Sequence, residues 1–268
     1  MNRTLTMGAC LAAAVLGASP ALAAPKAEPV EWTLDGETFR GVLVYDDDHD
    51  GPRPGLVMVP NWRGVNDSAV EKARRAAGDD YVVLVADVYG RDVRPRNDEE
   101  AGPVAAALRA DRPLLRQRAR KALEVLQARP EVDAGRVGAF GFCFGGTTVL
   151  ELARDGAPLA GVVSLHGGLS TPLPAGGEVG PAVLVLNGAA DRGVSAEDIA
   201  GFQREMDAAN ADWQFVNFAD AVHCFAEEDA ASPPGCVYHE RSARRAWRMM
   251  DDFFEERFEA PARPAAAQ

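Results

Sequence analysis

From about residue 30 onward, short apolar runs alternate with stripes of helical spacing. Val30–Leu34 and Thr38–Tyr45, separated by "DGE", predict a hairpin. "GLVMV" at Gly55–Val59 predicts a strand, and Asp67–Ala77 a polar helix capped by Asp67 or Ser68. "YVVLVAD" at Tyr81–Asp87 is apolar without interruption, as in a strand covered on both faces. A helical region over Pro113–Ala128 stops before Pro130, and "RVGAF" follows as the next strand. Strands are then expected at Gly161–Leu165, Ala182–Leu186 and Trp213–Phe218, with a helix near Ser195–Ala209 between the last two. In the final helix, about Tyr238–Phe258, Ala243, Ala246, Trp247, Met250, Phe253 and Phe254 recur at three- and four-residue steps, a core-facing stripe. Strands alternating with helices predict an α/β fold, a mostly parallel sheet with helices on both faces. No repeat of solenoid period interrupts it.

The two ends read differently. Arg3, the apolar run Leu5–Leu16 and the small-residue site Ala21-Leu22-Ala23 have the layout of a secretory signal peptide cut after Ala23. Residues 24–268 then form one domain, with a loose tail, "APARPAAAQ", from about residue 260. The expected destination is the periplasm or the exterior, with no membrane span after processing. Without Arg3 there are 27 basic residues against 40 acidic ones, which argues against nucleic acid or an anionic membrane surface as a partner. Nothing in the sequence sets an oligomeric state. Three cysteines remain, Cys143, Cys224 and Cys236, and an odd count leaves at least one outside any internal bridge. Cys224 and Cys236 bracket "SPPG", which makes a local bridge between them one of the connectivities left open.

Chemistry gathers at "GFCFGG", Gly141–Gly146. Straight after "RVGAF" and before a helical run, Gly-x-Cys-x-Gly-Gly has the form of a nucleophile elbow, the tight strand-to-helix turn that presents a reactive side chain. Here the apex is Cys143. A helix N-terminus favours a thiolate, and the following amide, Phe144, is placed to bind an oxyanion. The chain order of such sites is nucleophile, acid, histidine. Asp191 in "NGAADRGV" follows one strand and His223 in "ADAVHCF" follows the next, both in loops where open α/β sheets build their sites. His49 and His239 do not fit that order.

"GFCFGG", "NGAADRGV" and "AVHCF", with "NWRGVND" and "VADVYGRD" upstream, resemble the dienelactone hydrolase family across nearly the whole chain. The resemblance implies a single-domain α/β-hydrolase fold without a large lid, acting on small ester or lactone carbonyls. It implies a Cys143–His223–Asp191 triad and an oxyanion hole from the amides of Trp62 and Phe144. Arg91 matches the family's substrate-carboxylate arginine. Two positions depart from the pattern. Asn61 stands where the family has a glutamate touching the resting thiol, and Glu227 replaces a second arginine. A strongly acidic substrate would meet Glu227 unfavourably, so a neutral ester or lactone is expected.

Other features carry less. His166 in "SLHGGL" ends a strand and is a candidate for substrate contact. "DDDHDG" at Asp46–Gly51 has calcium-loop spacing, but Val57 stands at the twelfth position where a bidentate glutamate belongs. No cluster has metal spacing and no phosphate loop is present, so no cofactor is expected. Asn61 and Glu227 keep open a non-catalytic binding protein on a hydrolase scaffold. The nearness of Cys224 to His223 keeps open a thiol redox protein using Cys143 with Cys224.

Overall fold

In a computed structural model, residues 25–48 and 51–259 are described. The leader over residues 1–23, His49 and the tail from residue 260 lie outside them. An eight-stranded sheet forms the centre. It begins with the hairpin β1 (Lys26–Leu34) and β2 (Glu37–Tyr45), closed at Asp35–Gly36, where both residues have positive φ. That geometry suits a two-residue turn matched to strand twist. There follow β3 (Arg53–Val59), α1 (Asp67–Ala77), β4 (Val82–Val85), α2 (Asp98–Ala110) and α3 (Arg112–Gln127). The second half runs β5 (Val132–Phe142), α4 (Phe144–Arg154), β6 (Gly161–Leu165), β7 (Ala182–Gly188), α5 (Ala196–Ala208) and β8 (Trp213–Phe218). A two-residue pair, β9 (Ala231–Ser232) and β10 (Cys236–Val237), precedes α6 (Glu240–Glu259). The strand order is β1-β2-β4-β3-β5-β6-β7-β8. Pairing is antiparallel on both sides of β2 and parallel from β4 to β8.

Two apolar layers sandwich the sheet, and β4 shows why its run has no polar interruption. Val82 and Leu84 enter the layer formed with α2 to α5, whereas Val83 and Val85 enter the layer formed with α1 and α6. Side chains alternate across a strand, so burial on both faces demands apolar residues throughout. The stripe anticipated in the last helix is buried as a unit, with Trp247, Met250 and Phe254 each at 3% exposure or less.

Several boundaries differ from expectation. The cap of α1 is Asn66, whose side chain accepts from Ala69 N–H at 2.9 Å, rather than Asp67 or Ser68. Asn66 is extended while Asp67 is already helical, and only an extended residue can turn its side chain back onto the first amides. Helix α2 was not anticipated. Its "AGP" reads as a break, yet Pro103 falls inside it. Among the described residues, no helix is long and apolar enough to cross a membrane.

Candidate active site

The carboxyl ends of the parallel strands deliver most of the candidate residues to one edge of the sheet. Loops after β3, β4, β5, β6, β7 and β8 carry Asn61–Trp62, Tyr89, Cys143, His166, Asp191 and His223 in that order. Cys143 sits between β5 and α4 with φ +54 and ψ −112, a conformation that a residue with a side chain adopts only under constraint. The glycines around it supply the constraint. A Cβ on Gly145 would lie 1.9 Å from the Val59 carbonyl oxygen, and one on Gly141 would lie 2.3 Å from the Gly145 carbonyl carbon. The elbow therefore presses against the end of β3, beside the loop that carries Trp62. As the first residue of α4, Phe144 has an amide without an intrahelical acceptor.

That neighbouring loop is fixed from several sides. Asn61 takes Arg63 N–H on its side-chain oxygen at 3.0 Å and Gly64 N–H on its backbone carbonyl at 2.9 Å. The buried Tyr89 hydroxyl donates to the Trp62 carbonyl at 3.0 Å, and the Tyr89 ring packs 5.5 Å from that of Phe144. Burial drives the Tyr89 pKa upward, which keeps the hydroxyl a donor. Tyr89 thus bridges the two residues whose amides form the expected oxyanion hole, through the Trp62 carbonyl and the Phe144 ring, a contact not marked by "VADVYGRD".

His223 Nδ1 lies 2.7 Å from Asp191 Oδ2, and the other Asp191 oxygen accepts from Gly193 N–H at 2.8 Å. Burial raises the Asp191 pKa, but the bonds from His223 and Gly193 outweigh it and hold the carboxylate ionised below its ordinary value. Burial lowers the His223 pKa, yet Asp191 on one side and the Cys143 sulfur on the other bring it up to about 10. An imidazole gripped by a carboxylate and facing a free thiol is equipped to exchange a proton with that sulfur. Cys143 is unpaired, whereas Cys224 and Cys236 form a disulfide.

The remaining candidates fall elsewhere. His166 is fully buried beneath Cys143, its ring 5.1 Å from that of His223, and has no face open to a ligand. Arg91 is half exposed and turned to Asp92 (3.3 Å) and Glu31 (3.9 Å) beside the β1–β2 hairpin. Glu227 is buried behind the site, where Asn61 Nδ2 donates to it at 2.6 Å. Lys72 stands 3.4 Å from Glu227. It sits mid-helix in α1, with no local pattern that marks it.

Sheet order, strand-to-helix elbow and the acid and histidine loops define an α/β-hydrolase. The dienelactone hydrolase family model matches residues 39–258, and the chain belongs to that family. It is 41% identical to a solved protein named m3DLH, with a TM-score of 0.84 over 88% of this chain and all of the other. A dienelactone hydrolase-like promiscuous phosphotriesterase from metagenomic libraries is 38% identical, with a TM-score of 0.83 over the same shares. A Yersinia pestis protein named "Putative carboxymethylenebutenolidase" is 25% identical over 236 residues, 82% of this chain and 85% of the relative. Membership makes the chain an ester or lactone hydrolase.

Proposed function

We propose that the protein is a secreted cysteine hydrolase of small neutral esters or lactones, working through a thioester. His223 takes the Cys143 proton on Nε2 while Asp191 fixes its tautomer through Nδ1 and offsets the positive charge. The sulfur attacks the carbonyl carbon, and the amides of Phe144 and Trp62 hold the resulting oxyanion. The C–O bond breaks as the imidazolium returns its proton to the leaving alkoxide. Water, deprotonated by His223, then attacks the thioester. The acid departs and the thiol takes the proton back.

The observation that carries this reading is the 2.7 Å contact between His223 Nδ1 and Asp191 on an imidazole whose proton affinity the Cys143 sulfur also raises. Neutral substrates fit because Arg91 is engaged with carboxylates outside the site. Glu227 no longer argues for them, since Asn61 and Lys72 cover the carboxylate that was expected to repel an anion. Secretion is supported by the leader-like residues 1–23 and by a disulfide, which persists in oxidising compartments. Among the described residues Cys143 has no disulfide partner, which favours hydrolysis over the redox alternative.

The test compares neutral esters, neutral lactones, anionic lactones and a neutral phosphotriester on the wild type and Cys143→Ala. The variant is expected to lose at least about 10³-fold in kcat on every substrate turned over. Acyl-enzyme of the matching mass should appear on Cys143 in the wild type. Undiminished turnover by Cys143→Ala would refute the assignment.

A further inference from the structure

Glu227 lies four residues beyond His223, and its side chain runs inward beneath the site, leaving the residue 3% exposed. Its Oε2 accepts from Asn61 Nδ2 at 2.6 Å and faces Lys72 Nζ at 3.4 Å. Its Oε1 is buried without a hydrogen-bond partner. The atom opposite, 3.8 Å away, is Nε2 of His166, which is also buried without a partner. Polar atoms left unsatisfied in an interior are costly and uncommon, so two that face each other belong together.

The other ring nitrogen decides where the His166 proton sits. His166 Nδ1 is 3.2 Å from Cys143 N–H, and a ring nitrogen accepts only when it is bare. Burial, with the positive charges of His223 and Lys72, holds the His166 pKa well below its ordinary value, so the ring is neutral. Its single proton is therefore on Nε2, aimed at Glu227. The ring reaches beneath Cys143 from a backbone with φ +42, a strained conformation for histidine that serves this placement.

We propose that Glu227 and His166 form a second carboxylate–histidine pair, a positioning device that holds the Cys143 amide from below and ties it to the oxyanion loop. The carboxylate links three loops. Its own loop carries His223, Asn61 leads directly into Trp62, and His166 holds the nucleophile's backbone. The Cys143 amide is shared between Leu165 O at 3.0 Å and His166 Nδ1. With its backbone pinned, Cys143 can swing its sulfur onto a carbonyl while the adjoining Phe144 amide stays aimed at the oxyanion, and donors fixed in advance are the most effective. Burial pushes the Glu227 pKa up, and Lys72, itself held by Asp229 at 2.8 Å, opposes that shift together with Asn61 by favouring the charged carboxylate. A carboxylate behind a histidine fixes the ring's tautomer and orientation, as it does behind metal-bound histidines.

This inference rests on Cys143 as the nucleophile, and the experiment separates the two. In the full-length protein with ¹⁵N-histidine, NMR is expected to show His166 protonated on Nε2 and bare on Nδ1. Glu227→Gln should populate the other tautomer. On a neutral ester, Glu227→Gln and His166→Asn should each lower kcat about tenfold with KM changed less than twofold. Asparagine keeps an acceptor near the Nδ1 position and tolerates positive φ, so His166→Ala should lose more than His166→Asn. Adding Glu227→Gln to His166→Asn should cost nothing further, since groups acting as one unit are not additive. Additive losses, or a wild-type His166 protonated on Nδ1, overturn the pair while leaving the role of Cys143 intact. A variant that fails to fold does not block the decision, because the wild-type tautomer alone is decisive. Full activity in Cys143→Ala would remove both readings at once.

Discussion

His223 ties the chemistry to stability, and the sign of that link can be worked out. Its folded pKa, about 10, lies above the ordinary 6.5 because Asp191 and Cys143 outweigh burial. Such a group stabilises the fold fully below about 6.5 and ceases to do so as pH rises through about 10. Asp191 acts in the opposite sense, since its lowered pKa stabilises the fold above the ordinary carboxylate value and is lost on acidification. The pair is strongest between these limits. His223→Gln should therefore melt about 2–4 °C below the wild type near pH 6, and the gap should close by about pH 10.5. Melting curves across that range check it, and a gap that widened with pH would contradict the assignment. At this scale the convergence of Cys143, Asp191 and His223 was legible because each lies in the turn or loop after a parallel strand, which fixes the sheet edge without tertiary knowledge. The setting of His166 and Glu227 was not. Whether a strand-end histidine turns inward depends on one positive φ, and Glu227, expected to face the substrate, is seen to turn inward only once Lys72 and Asn61 are placed beside it.

Between β5 and α4 the elements are pressed so closely that the elbow has no room for a methyl group. Gly145→Ala would place a carbon against the backbone of Val59 and Pro60, with 1.9 and 2.6 Å to their carbonyl oxygens, and neither strand end can retreat without unpairing. The expected loss is about 3 kcal/mol or more, the mark of steric conflict in a core. Gly176→Ala, with nothing within 4 Å of the added carbon, should be nearly neutral. Chemical denaturation of the two variants side by side measures the difference, and equal stabilities would mean that the elbow is not packed in this way. The strands were readable because their residues obey local alternation or continuous burial. Helix α2 was not, because Gly102 and Pro103 speak against a helix locally and tertiary packing overrides them. Ala101, Ala105 and Leu108 are buried, α2 packs against α3, and the Trp62 ring comes within 3.9 Å of the space beside Gly102. The two-residue strands β9 and β10 carry no pattern long enough to detect. They exist because the 224–236 disulfide and the bond from Val237 N–H to the His223 carbonyl at 3.1 Å hold that loop together.

Across the whole molecule, two long-range ties hold the fold by different means, and only one of them adjoins His223. Glu151, fully buried in α4, is gripped by Arg116 at 2.7 Å and Arg154 at 3.2 Å, and Arg154 continues to Glu205 of α5 at 2.8 Å. This network fastens α3, α4 and α5 together. Glu151→Gln leaves buried arginines without their counter-charge and should cost about 3–5 kcal/mol. The second tie, Cys224–Cys236, closes a loop between residues 12 apart. Opening it frees the unfolded chain and should cost roughly 3 kcal/mol on loop-entropy grounds. The two losses are similar, but their locations are not. The disulfide begins one residue after His223 and ends one before the residue that bonds the His223 carbonyl. The Cys224→Ser/Cys236→Ser variant should therefore lose kcat well below its melting temperature, because the imidazole is no longer held against Asp191 and Cys143. Glu151→Gln should keep kcat until it unfolds. Assays at a temperature where both variants are fully folded by circular dichroism separate the cases. Equal kcat in both would show that the histidine loop keeps its shape without the bridge, leaving the disulfide a role in stability alone.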